Sequence, residues 1–151
     1  MIIGIDPGCT DSAAVIIHQG AIVDHCYLPN AEFLDWCKSF RDAGNIDVIV
    51  EMIASYGMPV GREVFETCVF IGELKSLFGP SMKRVTRIQV KSSICHSGKA
   101  KDANIRQALI DIYGKTGTKK NPGGTFGISG DKWPALAVAT AFKNNCQLYI
   151  A

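Results

Sequence analysis

Apolar positions follow two rhythms along this chain. Near the start they alternate or run together as strands do. Residues 2–6, Ile-Ile-Gly-Ile-Asp, form a short apolar run that ends in an acid, and Pro7-Gly8 then breaks the chain. Residues 12–18 are apolar and β-branched, Gly20 makes a turn, and residues 21–28 follow as a third strand. These three runs are too close for crossover helices, so the pattern predicts an antiparallel meander. Further on the rhythm is helical. Phe33, Leu34, Cys37 and Phe40 mark a helix over 30–43, with Asn30 as its N-cap and Gly44 as its stop. Val48-Ile49-Val50 is the centre of a core strand over 47–51, which again ends in an acid. Residues 52–61 read as a loop and 62–78 as a long helix closed by Gly79-Pro80. A strand over 83–90, a basic loop or short turn over 91–101 and a helix over 102–113 come next. Residues 115–129, rich in Gly, Lys, Thr and Asn, read as mobile, and 131–147 as a last helix.

The order β-β-β-α-β-α-β-α-α predicts an α/β fold. Three antiparallel strands lead into parallel strands of one mixed sheet, with helices on both faces. Length and the lack of any repeat or linker predict a single domain over 1–151. No apolar run approaches the roughly 20 residues of a membrane span. The opening MIIGIDPG has neither a basic region nor a long apolar stretch, so no signal peptide is expected, and the expected location is the cytoplasm.

Six cysteines change this picture little. Cys9, Cys26, Cys37, Cys68, Cys95 and Cys146 are scattered, without a CxxC pair or zinc spacing, and read as reduced and largely buried thiols. Charge adds more. Residues 1–74 hold 3 Lys or Arg against 11 Asp or Glu, and residues 75–151 hold 13 against 3. The asymmetry fits an anionic partner on one face, although interleaving of the two halves in the fold would mix the charges.

Candidate chemistry lies at the ends of elements. Asp6 and Glu51 end core strands, and Asp131 opens the last helix. If strands one and four are neighbours and that helix packs across them, the three acids converge. Clustered carboxylates repel one another unless a cation neutralises them, and hard oxygen donors suit Mg²⁺ or Mn²⁺. Such a site can activate water for phosphodiester cleavage. Singly, each acid has a plainer use: a turn at Asp6, an N-cap at Asp131. Glu51 is the hardest to explain so, because a carboxylate ending a buried strand is costly without a partner.

Ile3-Gly4-Ile5-Asp6-Pro7-Gly8, Val48-Ile49-Val50-Glu51, Gln89-Val90-Lys91 and the closing Gly130-Asp131 with Ala135-Leu136-Ala137-Val138-Ala139 resemble, in order and spacing, the RuvC-type Holliday junction resolvases. The Lys132-Trp133-Pro134-Ala135-Leu136 stretch and the short loops are similar to phage or prophage members. The resemblance implies an RNase H-like fold, Mg²⁺-dependent nicking, a homodimer and branched DNA, such as a four-way junction, as substrate. It implies that Asp6, Glu51 and Asp131 bind the metal and that Lys91 approaches the scissile region. Two positions depart from the pattern. Pro134 stands where a fourth acid is usual, and Asp102 stands where a second lysine is expected, next to Lys101.

Lys91, Lys99 and Lys101 are read as DNA-facing, against the plainer alternative of a solvated basic loop. Lys115, Lys119 and Lys120 can order on phosphates or remain a surface loop. Tyr56, near Met58 in the loop after Glu51, can stack on a base, or anchor its loop on the core. The helix over 63–77 has apolar residues round more than one face, Phe65 and Val69 among them, as a helix does when it packs on a sheet and on a second copy. His18, His25 and His96 carry no reading beyond the ordinary.

Three other functions compete. Asp6-Pro7-Gly8-Cys9-Thr10 fits the phosphate loop of actin-like ATPases, but those need two such domains round a cleft. A nuclease of the same fold acting on structured RNA, such as ribosomal precursors, would share the acids. A protein that binds branched DNA without cutting it would explain Pro134.

Overall fold

Alternation along the first strand decides the layering. In the computed structural model, which describes residues 1–57 and 59–144, β1 (Ile2–Asp6) is the middle strand of five. Ile3 and Ile5 point to one face and Gly4 to the other, as the two-residue period of a strand requires. β2 (Asp11–His18) and β3 (Ala21–Pro29) complete the antiparallel meander. β4 (Asp47–Met52) joins β1 in parallel, and β5 (Met82–Thr86) joins β4 in parallel, giving the order β3-β2-β1-β4-β5. This is the mixed sheet that the sequence predicts.

Helices cover both faces. On one face α1 (Asn30–Lys38) and α2 (Arg62–Phe78) bury Phe33, Cys37, Phe70, Ile71 and Leu74 against Ile3, Ile5, Val48 and Val50. On the other, α3 (Arg87–Cys95), α4 (Asp102–Tyr113) and α5 (Lys132–Asn144) bury Val90, Ile105, Leu109 and Leu136 against Val15, Ile17 and Ile49. Among the described residues no helix is long and apolar enough to cross a membrane.

Local chemistry moves several expected boundaries. The strand expected over 83–90 stops at Thr86, and residues 87–95 are helical, so Lys91 sits on α3 and not in a basic loop. Thr86 and Gln89 form a capping box: the Gln89 amide donates to Thr86 Oγ1, and the Thr86 amide donates to Gln89 Oε1 at 2.8 Å. The Thr-x-x-Gln spacing is the sequence sign of such a start, and it outweighs the β-branched character of Val85 and Thr86. Helix α1 ends at Lys38, five residues early, in tight turns such as Phe40 N to Cys37 O at 3.0 Å. Asn30 is not its N-cap. Pro29 holds that position, and the Asn30 side chain serves the loop after β1.

Residues 115–129, expected to be mobile, fold back on themselves. Gly123 N donates to Thr116 O at 3.0 Å, Thr118 and Asn121 exchange backbone bonds, and buried Thr125 donates to Gly114 O at 2.9 Å. Helix α5 starts at Lys132, one residue after Asp131. Met58, Cys146 and the end of the expected last helix lie outside the described residues. The other five cysteines are free thiols, as expected, but only Cys37 is buried and Cys9, Cys26, Cys68 and Cys95 are half-buried.

At Gly4 helix α5 comes into close contact with β1. A Cβ there would meet the Ala135 carbonyl oxygen, and would lie 2.6 Å from Ala139 N and 2.7 Å from Ala139 Cβ. The backbone of α5 therefore rests directly on β1, through a stripe of small residues. We expect Gly4→Ala to destabilise the protein by about 1–3 kcal/mol, because neither backbone can yield. Denaturant midpoints of the two proteins measure this. An unchanged midpoint would mean that α5 can shift away from β1 freely.

Candidate active site

The parallel register of β1 and β4 builds the first half of the site. Ile5 pairs with Val50, so one step further brings Asp6 beside Glu51 at the carboxyl edge of the sheet. The turn after Asp6 is held by side chains. Asn30 Nδ2 donates to Gly8 O at 3.0 Å, Ser12 Oγ donates to Asn30 Oδ1 at 2.7 Å, and the Gly8 amide donates to Ser12 Oγ at 3.2 Å. Asp131 comes from the opposite layer. The contact of α5 with Gly4 puts the start of that helix at the strand end where Asp6 lies.

The electrostatics link Asp6 to both of the other acids. The Asp6 carboxyl is pushed up from 3.8 to about 7, first by burial, then by the charges of Glu51 and Asp131, with Arg87 offsetting part of the rise. Glu51 is also raised, chiefly by burial, and the charge and hydrogen bond of Arg87 pull it back. Among the described residues no three Asp, Glu, His or Cys side chains are drawn together tightly enough to hold one ion as a closed group. The acids converge on one region without forming a finished cage.

Arg87 is the site residue that sequence reasoning missed. It is the first residue of α3, immediately after β5, and reaches back to β4. Its Nη1 lies 3.4 Å from Glu51 Oε2, and its Nη2 lies 2.8 Å from Asp102 Oδ1. Lys91, one turn further along α3, lies 3.9 Å from the same Asp102 oxygen. Glu51, Arg87, Asp102 and Lys91 thus form a chain of alternating charge at the sheet edge. The Thr86-x-x-Gln89 capping signal was the available clue, since it starts a helix where Arg87 stands.

Other expected residues take separate places. Lys99 and Lys101 are exposed on the loop between α3 and α4, and Lys101 is the N-cap residue of α4. Lys119 and Lys120 are exposed at the turn within 115–129, with Lys115 also exposed at its start. Tyr56 is 58% exposed, which removes the reading of it as a core anchor. His25 Nδ1 lies 3.4 Å from Lys132 Nζ, beside Asp131 in sequence. Beside the acids a cavity of about 500 Å³ opens between α3, α4 and α5, with Arg87, Asp102 and Asp131 on its walls and Trp133 and Pro134 among its apolar lining.

This arrangement has solved counterparts. A structure of Thermus thermophilus RuvC superposes with a TM-score of 0.67 at 18% identity, covering 97% of this chain and 95% of that one. The structure of T. thermophilus RuvC in complex with a Holliday junction substrate gives 0.68 at 16% identity, covering 97% and 94%. The fold is RuvC-like. No family model matches the chain, and no curated protein matches it by sequence. The RuvC-like frame agrees with the mixed sheet expected of an RNase H-like fold.

Burial and two other acids raise the Asp6 carboxyl, and hard oxygen donors of this kind fit Mg²⁺. The same shift has a sign for stability. Asp6 binds its proton more tightly in the fold than in the unfolded chain, so its contribution is complete below 3.8 and is lost as pH rises through about 7. The metal-free protein should therefore melt at lower temperature as pH rises across that interval. Asp6→Asn should flatten the fall and give the more stable protein at the alkaline end. Melting curves across pH with EDTA test it, and equal slopes for the two proteins would show that Asp6 is not the strained group.

Proposed function

We propose that this protein is a Mg²⁺-dependent, structure-selective endonuclease that resolves four-way junctions or related branched DNA by paired nicks. The observation that carries the reading is the parallel register that sets Asp6 beside Glu51 at the carboxyl edge of a RuvC-like sheet, with the charges of Glu51 and Asp131 both acting on Asp6. In this reading those three carboxylates hold the metal, with Mn²⁺ as a substitute. The bound ion supplies a more acidic water and a counter-charge for phosphate. Water adds to phosphorus, one P–O ester bond breaks, and the leaving sugar oxygen takes a proton. Lys91, fixed beside Asp102 on a helix, is placed to offset charge on the phosphate.

DNA is the substrate class that the surface supports best. Exposed Lys99, Lys101, Lys119 and Lys120 offer phosphate contacts, which position a duplex arm without reading its sequence. Exposed Tyr56 follows β4 and the acid Glu51, and is available to stack on a base at an opened branch point. A neighbour in fold, T. thermophilus RuvC, has been solved with a Holliday junction substrate. A homodimer is part of the proposal. Phe65 and Val69, four residues apart on α2, are each 61% exposed and form an apolar stripe suited to a second copy. Two sites related by a two-fold axis would cut a junction symmetrically. We further assign the chain to the cytoplasm of a bacterial or phage-infected cell. The free thiols and the Lys132–Leu136 stretch support this.

The test is incubation of the purified protein with a synthetic four-way junction, a matched duplex and a structured RNA, each with Mg²⁺, Mn²⁺ or EDTA. The expected result is paired, symmetric, metal-dependent nicks in the junction. Asp6→Asn should slow them by at least about a hundredfold, the scale seen when one transition-state contact is removed. Cleavage of the RNA alone would overturn the DNA assignment. Tight junction binding without product in either metal would replace the nuclease with a junction-binding protein.

A further inference from the structure

Four carboxylates, Asp6, Glu51, Asp102 and Asp131, surround one guanidinium at the edge of the sheet. Arg87 is held there unequally. Its bond to Asp102 is short, at 2.8 Å, and Asp102 is largely exposed, so that pair acts as a tether. Its approach to Glu51 is long, at 3.4 Å, the limit of a hydrogen bond. Glu51 is the more buried partner, with 14% exposure, yet is the more loosely engaged. A guanidinium carries five N–H donors, and these two contacts leave others available. Arg87 also lines the cavity of about 500 Å³ beside the acids. That space is large enough for a phosphate with its sugar.

The lining of the cavity also contains Pro134, at the place where the resolvase pattern has a fourth acid. A proline cannot bind a second metal ion. On this side of the site the positive charge belongs to the protein, in a fork whose geometry matches the two non-bridging oxygens of a phosphodiester. Asp102 removes a lysine from the expected set and in exchange orients Arg87. The two departures from the pattern, separated by 32 positions, therefore meet in one cavity and compensate each other.

Resting on the nuclease reading above, we propose that Arg87 is a ligand of the scissile phosphate, gripping it from the cavity that it lines together with Asp102 and Asp131. Arg87 supplies the charge that a second metal ion would otherwise bring, and a single Mg²⁺ then suffices for cleavage. Asp102 is its positioning residue.

The experiment compares the full-length wild type with R87Q and R87K on a four-way junction. Binding is measured in EDTA over a range of salt, and single-turnover cleavage over a range of Mg²⁺. Losing one phosphate contact should lower the slope of log affinity against log salt by about one in R87Q, and R87K should retain it. Cleavage by R87Q should fall about a hundredfold or more, with R87K between, because an ammonium cannot make the fork. The wild-type rate should saturate as a simple hyperbola in Mg²⁺. A wild-type salt slope and rate in R87Q would overturn the proposal while leaving the nuclease reading intact, as would a rate rising with the square of Mg²⁺. A wild type that neither binds nor cuts the junction would remove both. Melting curves separate loss of contact from loss of fold, and if R87Q does not fold, an R87K that cuts at the wild-type rate overturns the proposal.

Discussion

The direct contact of α5 with β1 at Gly4 organises the molecule. A side chain at Gly4 would push the helix away by the width of a methyl group or more. Without one, Ala135 and Ala139 bring helix backbone onto strand backbone, and the helix runs back along the strand. Its first turn then lies at the carboxyl edge of the sheet, where Asp6 ends β1. The packing of three small residues thus determines whether Asp131 joins the other acids. The rest of that face, from Val90 on α3 to Leu109 on α4, packs against α5 once it is seated.

The site built this way is a source of instability. Asp6 is partly buried among like charges, and the cost appears as a carboxyl that stays protonated to about 7. Stability and function oppose each other at such places. Part of the repulsion is offset by Arg87, whose own charge is kept by Glu51, Asp102 and Asp6. The capping box at Thr86 and Gln89 fixes where α3 begins and therefore where that guanidinium can reach. A neutral turn chemistry, at the junction of a strand and a helix, determines the position of the site's principal cation.

The molecule combines a rigid base with an open rim. Residues that carry the acids belong to strands or to the start of a helix packed on them. Lys91 sits on α3, whereas Lys99, Lys101, Lys119 and Lys120, proposed as phosphate contacts, are exposed on loops and turns or at a helix cap, where cations meet phosphate at little cost in packing. Tyr56 and the α2 stripe of Phe65 and Val69 leave apolar surface uncovered.

Apart from α3, which read as the end of a strand and a basic loop, the order of strands and helices, the two apolar faces of the sheet and the acids at strand ends could be read from the sequence alone. Those features follow from local periods of two and 3.6 residues, which a chain carries wherever it folds. Glu51 was legible because a carboxylate beside Val48-Ile49-Val50 needs a reason. Arg87 was not, because its partners are 36 and 15 residues away and meet it only through the parallel register of β4 and β5 and the return of α4. Nor could the sequence tell that Pro134 and Asp102 face one cavity, or that Tyr56 stands clear of the core. Charge pairing and cavity walls join positions distant along the chain, so only the tertiary packing decides them.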